Sequence, residues 1–172
     1  MLFRSHAGVH KMTHVHCAWP YNAQDVTAAQ MNLFYGLAAI AVDGEAFIDQ
    51  YREERLRDPR LLDVISRISA DIDPEIDAMG DGFRHAVRLT VTTRDGSVLK
   101  KEMLYSPGSP DNPLPAGQIV RKFEVLAAHA LAPTDVHAVV DMALNLDQLG
   151  DVSHLMAVLA RARLQARMST SP

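Results

Sequence analysis

The stretch HAVRLTVTTRDGSVLKKEMLY, residues 85–105, decides the fold class. Val87, Leu89 and Val91 alternate with polar or charged neighbours, the period of a strand with one buried face, and β-branched residues are frequent throughout. Asp95-Gly96 in the middle is a strong two-residue hairpin signal. The pattern predicts two antiparallel strands, from His85 to Thr92 and from Ser97 to Tyr105.

Working back toward the N-terminus, the text becomes helical. From Pro59 onward Leu61, Leu62, Ile65 and Ile68 recur at three to four residues, and a further helical stretch is predicted over about Glu45 to Arg55. Thr27 to Gly44 reads as a buried helix that Asp25 or Thr27 can cap. Its small residues Ala28, Ala29, Gly36, Ala38, Ala39 and Ala41 permit close packing, and Gly44 is placed to end it. Before it, Val9, Val15 and Cys17 fall on odd positions while His10, Met12, His14 and His16 fall on even ones, which predicts a half-buried strand over Val9 to Ala18. Trp19-Pro20 stops that strand.

Toward the C-terminus, Ser106 to Pro113 holds three prolines and a glycine and reads as a surface loop. Beyond it Ile119, Phe123, Leu126 and Ala130 form one apolar helix face. Pro133-Thr134-Asp135 opens another helix, and Asp151-Val152-Ser153 a last one. Met168 to Pro172 is expected to be a disordered tail. The fold class is therefore α+β: a small antiparallel sheet covered by helices, followed by C-terminal helices.

Bulk properties narrow the function. With 172 residues, 48% hydrophobic and 22% charged, the chain can bury roughly 70% of its unfolded surface. A net charge of -4 gives no concentrated basic face for nucleic acid. The longest strongly apolar stretch, Leu33 to Val42, is too short to cross a bilayer. Cys17 is the single cysteine, and Met1 to His6 lacks the apolar core of a signal peptide, so a cytoplasmic location is expected.

Ala28-Ala29-Gln30-Met31-Asn32-Leu33-Phe34-Tyr35-Gly36, followed by Leu37 to Gly44 and taken with Asn112-Pro113-Leu114 and Lys122-Phe123, resembles the C-terminal part of the MmgE/PrpD family. That family contains 2-methylcitrate dehydratase, cis-aconitate decarboxylase and iminodisuccinate epimerase. The resemblance runs from about Val9 to about Leu159. It implies an extension at 1–8, an α+β lid at 9–131, C-terminal helices at 132–165 and a tail at 166–172. It also implies that a large helical domain, carrying most of the catalytic groups, lies outside this stretch. The expected function is the C-terminal domain of a lyase or isomerase acting on polycarboxylates, 2-methylcitrate dehydratase-like and incomplete alone. No cofactor is implied, and a homo-oligomer or a partner chain is. The alternative is a non-catalytic assembly module that uses the C-terminal helices.

Four residues are candidates for substrate contact: His14, His16, Gln30 and Tyr35. On a strand His14 and His16 share a face about 7 Å apart, where paired imidazoles can bind a metal or a carboxylate or simply form a polar surface. The resemblance sets them near the cleft of the helical domain. Many family members carry Lys or Arg where this chain has Gln30, so a charge-assisted contact to a carboxylate is exchanged for a neutral one. Tyr35 falls at an aromatic position of the family pattern, where its hydroxyl can donate to an oxyanion or satisfy a core carbonyl.

Other temptations carry less. Cys17 among apolar residues reads as a small hydrophobe, and Gly80-Asp81-Gly82 lacks the spacing and lysine of a phosphate loop. Glu53-Glu54 belongs to a solvated helix face. No Gly-x-Ser-x-Gly, CxxC, HExxH or EF-hand pattern occurs.

Overall fold

Four strands, β1 (Leu2–Val9), β2 (Ile68–Ile72), β3 (Val87–Thr93) and β4 (Val98–Met103), form one sheet in the order β2-β1-β3-β4. The computed structural model describes residues 2–169, with side chains for 4–161. The class is α+β. The sheet is mixed rather than wholly antiparallel, because β1 runs parallel to β2 and antiparallel to β3. Ala7 and Val9 at its centre are fully buried. Small side chains suit a strand covered by helices and flanked on both edges.

The first strand corrects the reading of the N-terminus. Leu2–Val9, expected as an extension, is a central strand, and Val9 to Ala18, expected as a strand, is mostly the helix α1 (Lys11–Cys17). The alternation of histidines is a coincidence of spacing within two helical turns. His10 starts the helix as its N-cap, its side chain accepting from the Met12 amide.

The long helix predicted over Thr27 to Gly44 is broken at Asn32 into α2 (Val26–Met31) and α3 (Leu33–Asp43). Asn32 is only 3% exposed; its Oδ1 accepts from the Tyr35 amide at 3.0 Å and its Nδ2 donates to the Trp19 carbonyl at 2.8 Å. The side chain thus caps one helix and anchors the chain before the other. Asp25 caps α2 and Gly44, at φ 85°, ends α3 in the left-handed conformation.

Glu45 to Arg55 forms two short 3-10 turns, Ile48–Tyr51 and Glu53–Arg55, instead of a helix. The helix opened by Pro59 is α4 (Pro59–Ile65), and Ile68, expected on its apolar face, begins β2. Tyr35, Ala38, Leu56 and Leu61 meet in the main core, with Tyr35 between the rings of Tyr21 and Tyr51 at 5.1 and 5.3 Å.

The hairpin lies where the sequence put it, with a longer turn. The Gly96 amide donates to the Thr93 carbonyl at 3.0 Å and the Thr93 amide to the Ser97 carbonyl at 2.9 Å. Gly96 alone takes the left-handed φ of 84°, so the connection is a type I turn closed by a bulge glycine. On the polar face of the sheet Arg88 ties β3 to Asp73, Glu75 and Glu102. Asp73 also caps α5 (Pro74–Ala78), accepting from the Glu75 and Ile76 amides.

Two units are distinct, Met1–Asn112 and Pro113–Pro172. The division falls before α6 (Ala116–Ala127) and not near residue 131, because Phe123 and Ala127 of α6 pack with Leu131, Val136 and Val139. These join α7 (Pro133–Leu144) and α8 (Ser153–Ser169). Buried Asp135 in the first turn of α7 pairs with Arg161 at 2.7 Å. Of the tail expected from Met168 onward, Met168 and Ser169 continue α8, and Thr170 to Pro172 lie outside the described residues.

Candidate functional site

A cleft of about 420 Å³ opens on the helix-covered side of the sheet, within the first unit. Its floor is Val9, Val87 and Leu89, and Leu33 and Leu37 of α3 form a wall. Met12 and Met31, 42% and 52% exposed, also line it.

Polar groups gather at exposed positions of the same cleft: His16 on α1, and Arg84 and His85 just before β3. The fold brings them together through two links. The Thr13 hydroxyl donates to the Arg84 carbonyl, joining α1 to the segment that leads into β3. The Arg84 Nε–H donates to Nε2 of His85 at 3.2 Å, which assigns the proton of a neutral His85 to Nδ1. Among the described residues no aspartate or glutamate lines the cleft. A fixed cation and two imidazoles without a facing carboxylate make a site for an anion above an apolar floor.

The four candidates from the sequence separate. His16 lines the cleft, and His14 does not, since residues two apart on a helix leave in different directions. The same geometry removes the paired-imidazole site that a strand would have offered. Gln30 is exposed on α2, next to Met31 of the cleft. Tyr35 is fully buried, and its hydroxyl donates to the Gln50 carbonyl at 2.6 Å. Burial, reinforced by the neighbouring Tyr21, pushes its phenol up to about 12. Cys17 lines the cleft with its thiol also pushed up by burial, so it stays protonated and poorly nucleophilic.

Two residues of the cleft, Arg84 and His85, escaped the sequence reading, as did the place of His10, which does not line it. Arg84 and His85 stand far from His16 in the chain, and no local pattern marks them. His10 was visible as one of several histidines, but its fate was not. The ring is fully buried, Nδ1 is occupied by the Met12 amide, and Nε2 has no hydrogen-bond partner among the described residues. Asp77 and Asp81 stand 3.5 and 3.9 Å from that nitrogen, too long for well-formed bonds. A histidine directly before the first helical residue was the available signal.

Residues 6–148 match the profile of the MmgE/PrpD C-terminal domain. Among curated proteins, cis-aconitate decarboxylase of Aspergillus terreus is 27% identical over 158 residues, covering 90% of this chain and 32% of that protein. Another cis-aconitate decarboxylase of the same species is 28% identical over 148 residues, covering 84% and 30%. A cis-aconitate decarboxylase-like protein, oryM of Aspergillus oryzae, is 25% identical over 147 residues, with the same coverage of 84% and 30%. The chain spans about a third of the length of these relatives.

Proposed function

The chain belongs to the MmgE/PrpD family as its C-terminal domain, and from that membership we propose that it is the lid of a lyase or isomerase for polycarboxylates. The observation that carries this reading is the cleft itself, with Arg84, His16 and His85 around an opening that no carboxylate among the described residues lines. Arg84 and the imidazoles bind and orient a substrate carboxylate by charge-assisted bonds. Abstraction of a proton next to a carboxylate, or loss of carbon dioxide, places charge on an enolate, which such donors stabilise. The base and the leaving-group acid come from a helical domain, and closure of the lid excludes water. Gln30, exposed, stays available to that domain.

Between the family's activities, the relatives' names favour decarboxylation of cis-aconitate over dehydration of 2-methylcitrate. The reading calls for no cofactor and for a cytoplasmic enzyme; among the described residues no helix is long and apolar enough to cross a membrane. The test is a lyase assay on cis-aconitate and 2-methylcitrate, with the purified chain alone and then mixed with the helical domain of a complete relative. Turnover only in the mixture supports the lid, and turnover by the chain alone overturns it.

A second reading, an assembly module, is favoured by the second unit. Ile119, Leu144 and Met156 there are 55%, 62% and 58% exposed, and Ile119 and Leu144 border an apolar hollow of about 250 Å³. Such surfaces suit self-association or a partner chain. Silence in both assays, with a dimer seen by sedimentation, would move the weight to this reading.

A further inference from the structure

We infer that the first unit pairs with a second copy of itself along β4, in one antiparallel register whose two-fold axis passes through Lys101. The inference is independent of the proposed function, because neither the cleft nor the second unit takes part in it. β4 is an edge of the sheet, and every residue from Val98 to Glu102 is exposed. The hairpin turn shows which backbone groups of that edge are free. Thr93 and Ser97 face each other as a hydrogen-bonded pair, so along the ladder Leu99, Lys101 and Met103 turn their amides and carbonyls toward β3. Those of Val98, Lys100 and Glu102 point outward, and among the described residues they form no backbone hydrogen bond outside the sheet. A row of unpaired donors and acceptors on a strand is a template for another strand.

Charge selects the register. The Arg88 guanidinium is shared by three carboxylates, Asp73, Glu75 and Glu102, so negative charge is in excess there, and the Glu102 side chain is still 44% exposed. Lys100, two residues away on the same face, has no ion pair among the described residues. Only registers that set outward-pointing residues opposite one another let their backbone groups bond. With the axis at Lys101, Lys100 of each copy stands directly opposite Glu102 of the other, and two unpaired ammonium groups meet two carboxylate clusters that lack a counter-charge. Leu99, 61% exposed, then faces Met103 on the other side of the sheet. An axis at Lys100 or at Glu102 instead sets like charges face to face, and one at Leu99 leaves Lys100 against Val98. The one opposed contact of the chosen register is Lys101 with its own copy. Edge lysines deter pairing, and this one keeps the dimer weak and dependent on concentration.

The experiment is sedimentation velocity of the full chain across a range of concentrations, with variants chosen by the register. The chain is expected to dimerise reversibly. Lys100→Glu should weaken the dimer about tenfold, as two favourable cross-strand pairs become repulsive. An equimolar mixture of the Lys100→Glu and Glu102→Lys chains should regain it, since both pairs then join opposite charges, and Lys101→Thr should tighten it. In a Cys17→Ser background, Lys101→Cys should cross-link on mild oxidation because its two copies lie opposite each other. Lys100→Cys should not, its copies being farther apart than the roughly 7 Å that a disulfide spans. All these positions are exposed, and far-ultraviolet circular dichroism verifies the fold; if Glu102→Lys, which takes a partner from Arg88, fails to fold, the two cysteine variants decide. A monomer at every concentration, a dimer indifferent to Lys100→Glu, or equal cross-linking of the two cysteine variants would overturn the inference.

Discussion

Nε2 of His10 lies 3.5 Å from Oδ1 of Asp77, with the imidazole fully buried and its other nitrogen already engaged by the Met12 amide. One side chain therefore caps α1 and faces the helix α5 that carries Asp77. His10→Ala should destabilise the first unit by about 2 kcal/mol, the sum of a lost cap and a small cavity. His10→Asn keeps a cap acceptor and should recover part of that loss. Urea unfolding of both variants checks the ordering; equal stability of His10→Ala and the parent would rule out the capping role.

Tyr35 predicts an alkaline limit. Burial keeps its phenol neutral up to about 12, against 10 for the exposed group. The unfolded chain ionises from about pH 10 while the folded chain does not, so stability is complete below 10 and declines as pH rises toward 12. Tyr35→Phe should cost about 1–2 kcal/mol at neutral pH, because the Gln50 carbonyl loses its donor. The same variant should flatten the alkaline decline. Urea midpoints across the window measure both effects.

Gly8 sits where a side chain would crowd Asp73. A Cβ there would lie 3.0 Å from Oδ2 and 3.2 Å from Cβ of Asp73, the residue that caps α5 and pairs with Arg88. Gly8→Ala is expected to destabilise by about 1–3 kcal/mol through overpacking. Thermal unfolding tests it, and a variant as stable as the parent would show that Asp73 yields freely.

Cys17 provides a chemical readout of the cleft. Its thiol is pushed up by burial, so less thiolate is present at neutral pH than in a free cysteine. Iodoacetamide should label it more slowly than it labels glutathione. Mass spectrometry of the labelled chain follows the rate; labelling as fast as that of glutathione would rule out the shift.

How much was legible in the residues depended on whether the deciding contacts were local. The β3–β4 hairpin could be read because Val87, Leu89 and Val91 alternate beside a turn glycine, and all of that lies within one short segment. β1 could not, since Ser5 and Gly8 interrupt any clean alternation and its strand character comes from partners Ile68 to Ile72 and Val87 to Thr93. Asn32 looked like an interior helix residue, and in the fold its side chain caps α3 and reaches the distant Trp19 carbonyl, which no local pattern shows. For the site, His16 was found by residue type with the wrong backbone under it. Arg84 and His85 stayed invisible because the Thr13 hydroxyl that joins their segment to α1 is a tertiary contact.

The place of β1 in the sheet has a consequence for the order of folding. Ser5 pairs with Ile68 and Val9 with Val87, so the first strand of the chain pairs only with strands far downstream of it. Closing such loops carries an entropic cost before any contact compensates, whereas the β3–β4 hairpin can close on its own. Refolding should then proceed from a hairpin formed early to a slot between β2 and β3 that the N-terminal segment fills last. Changes in the hairpin will slow refolding, while changes such as Ala7→Gly will chiefly speed unfolding. The N-terminal residues are thus the keystone that locks an otherwise split sheet.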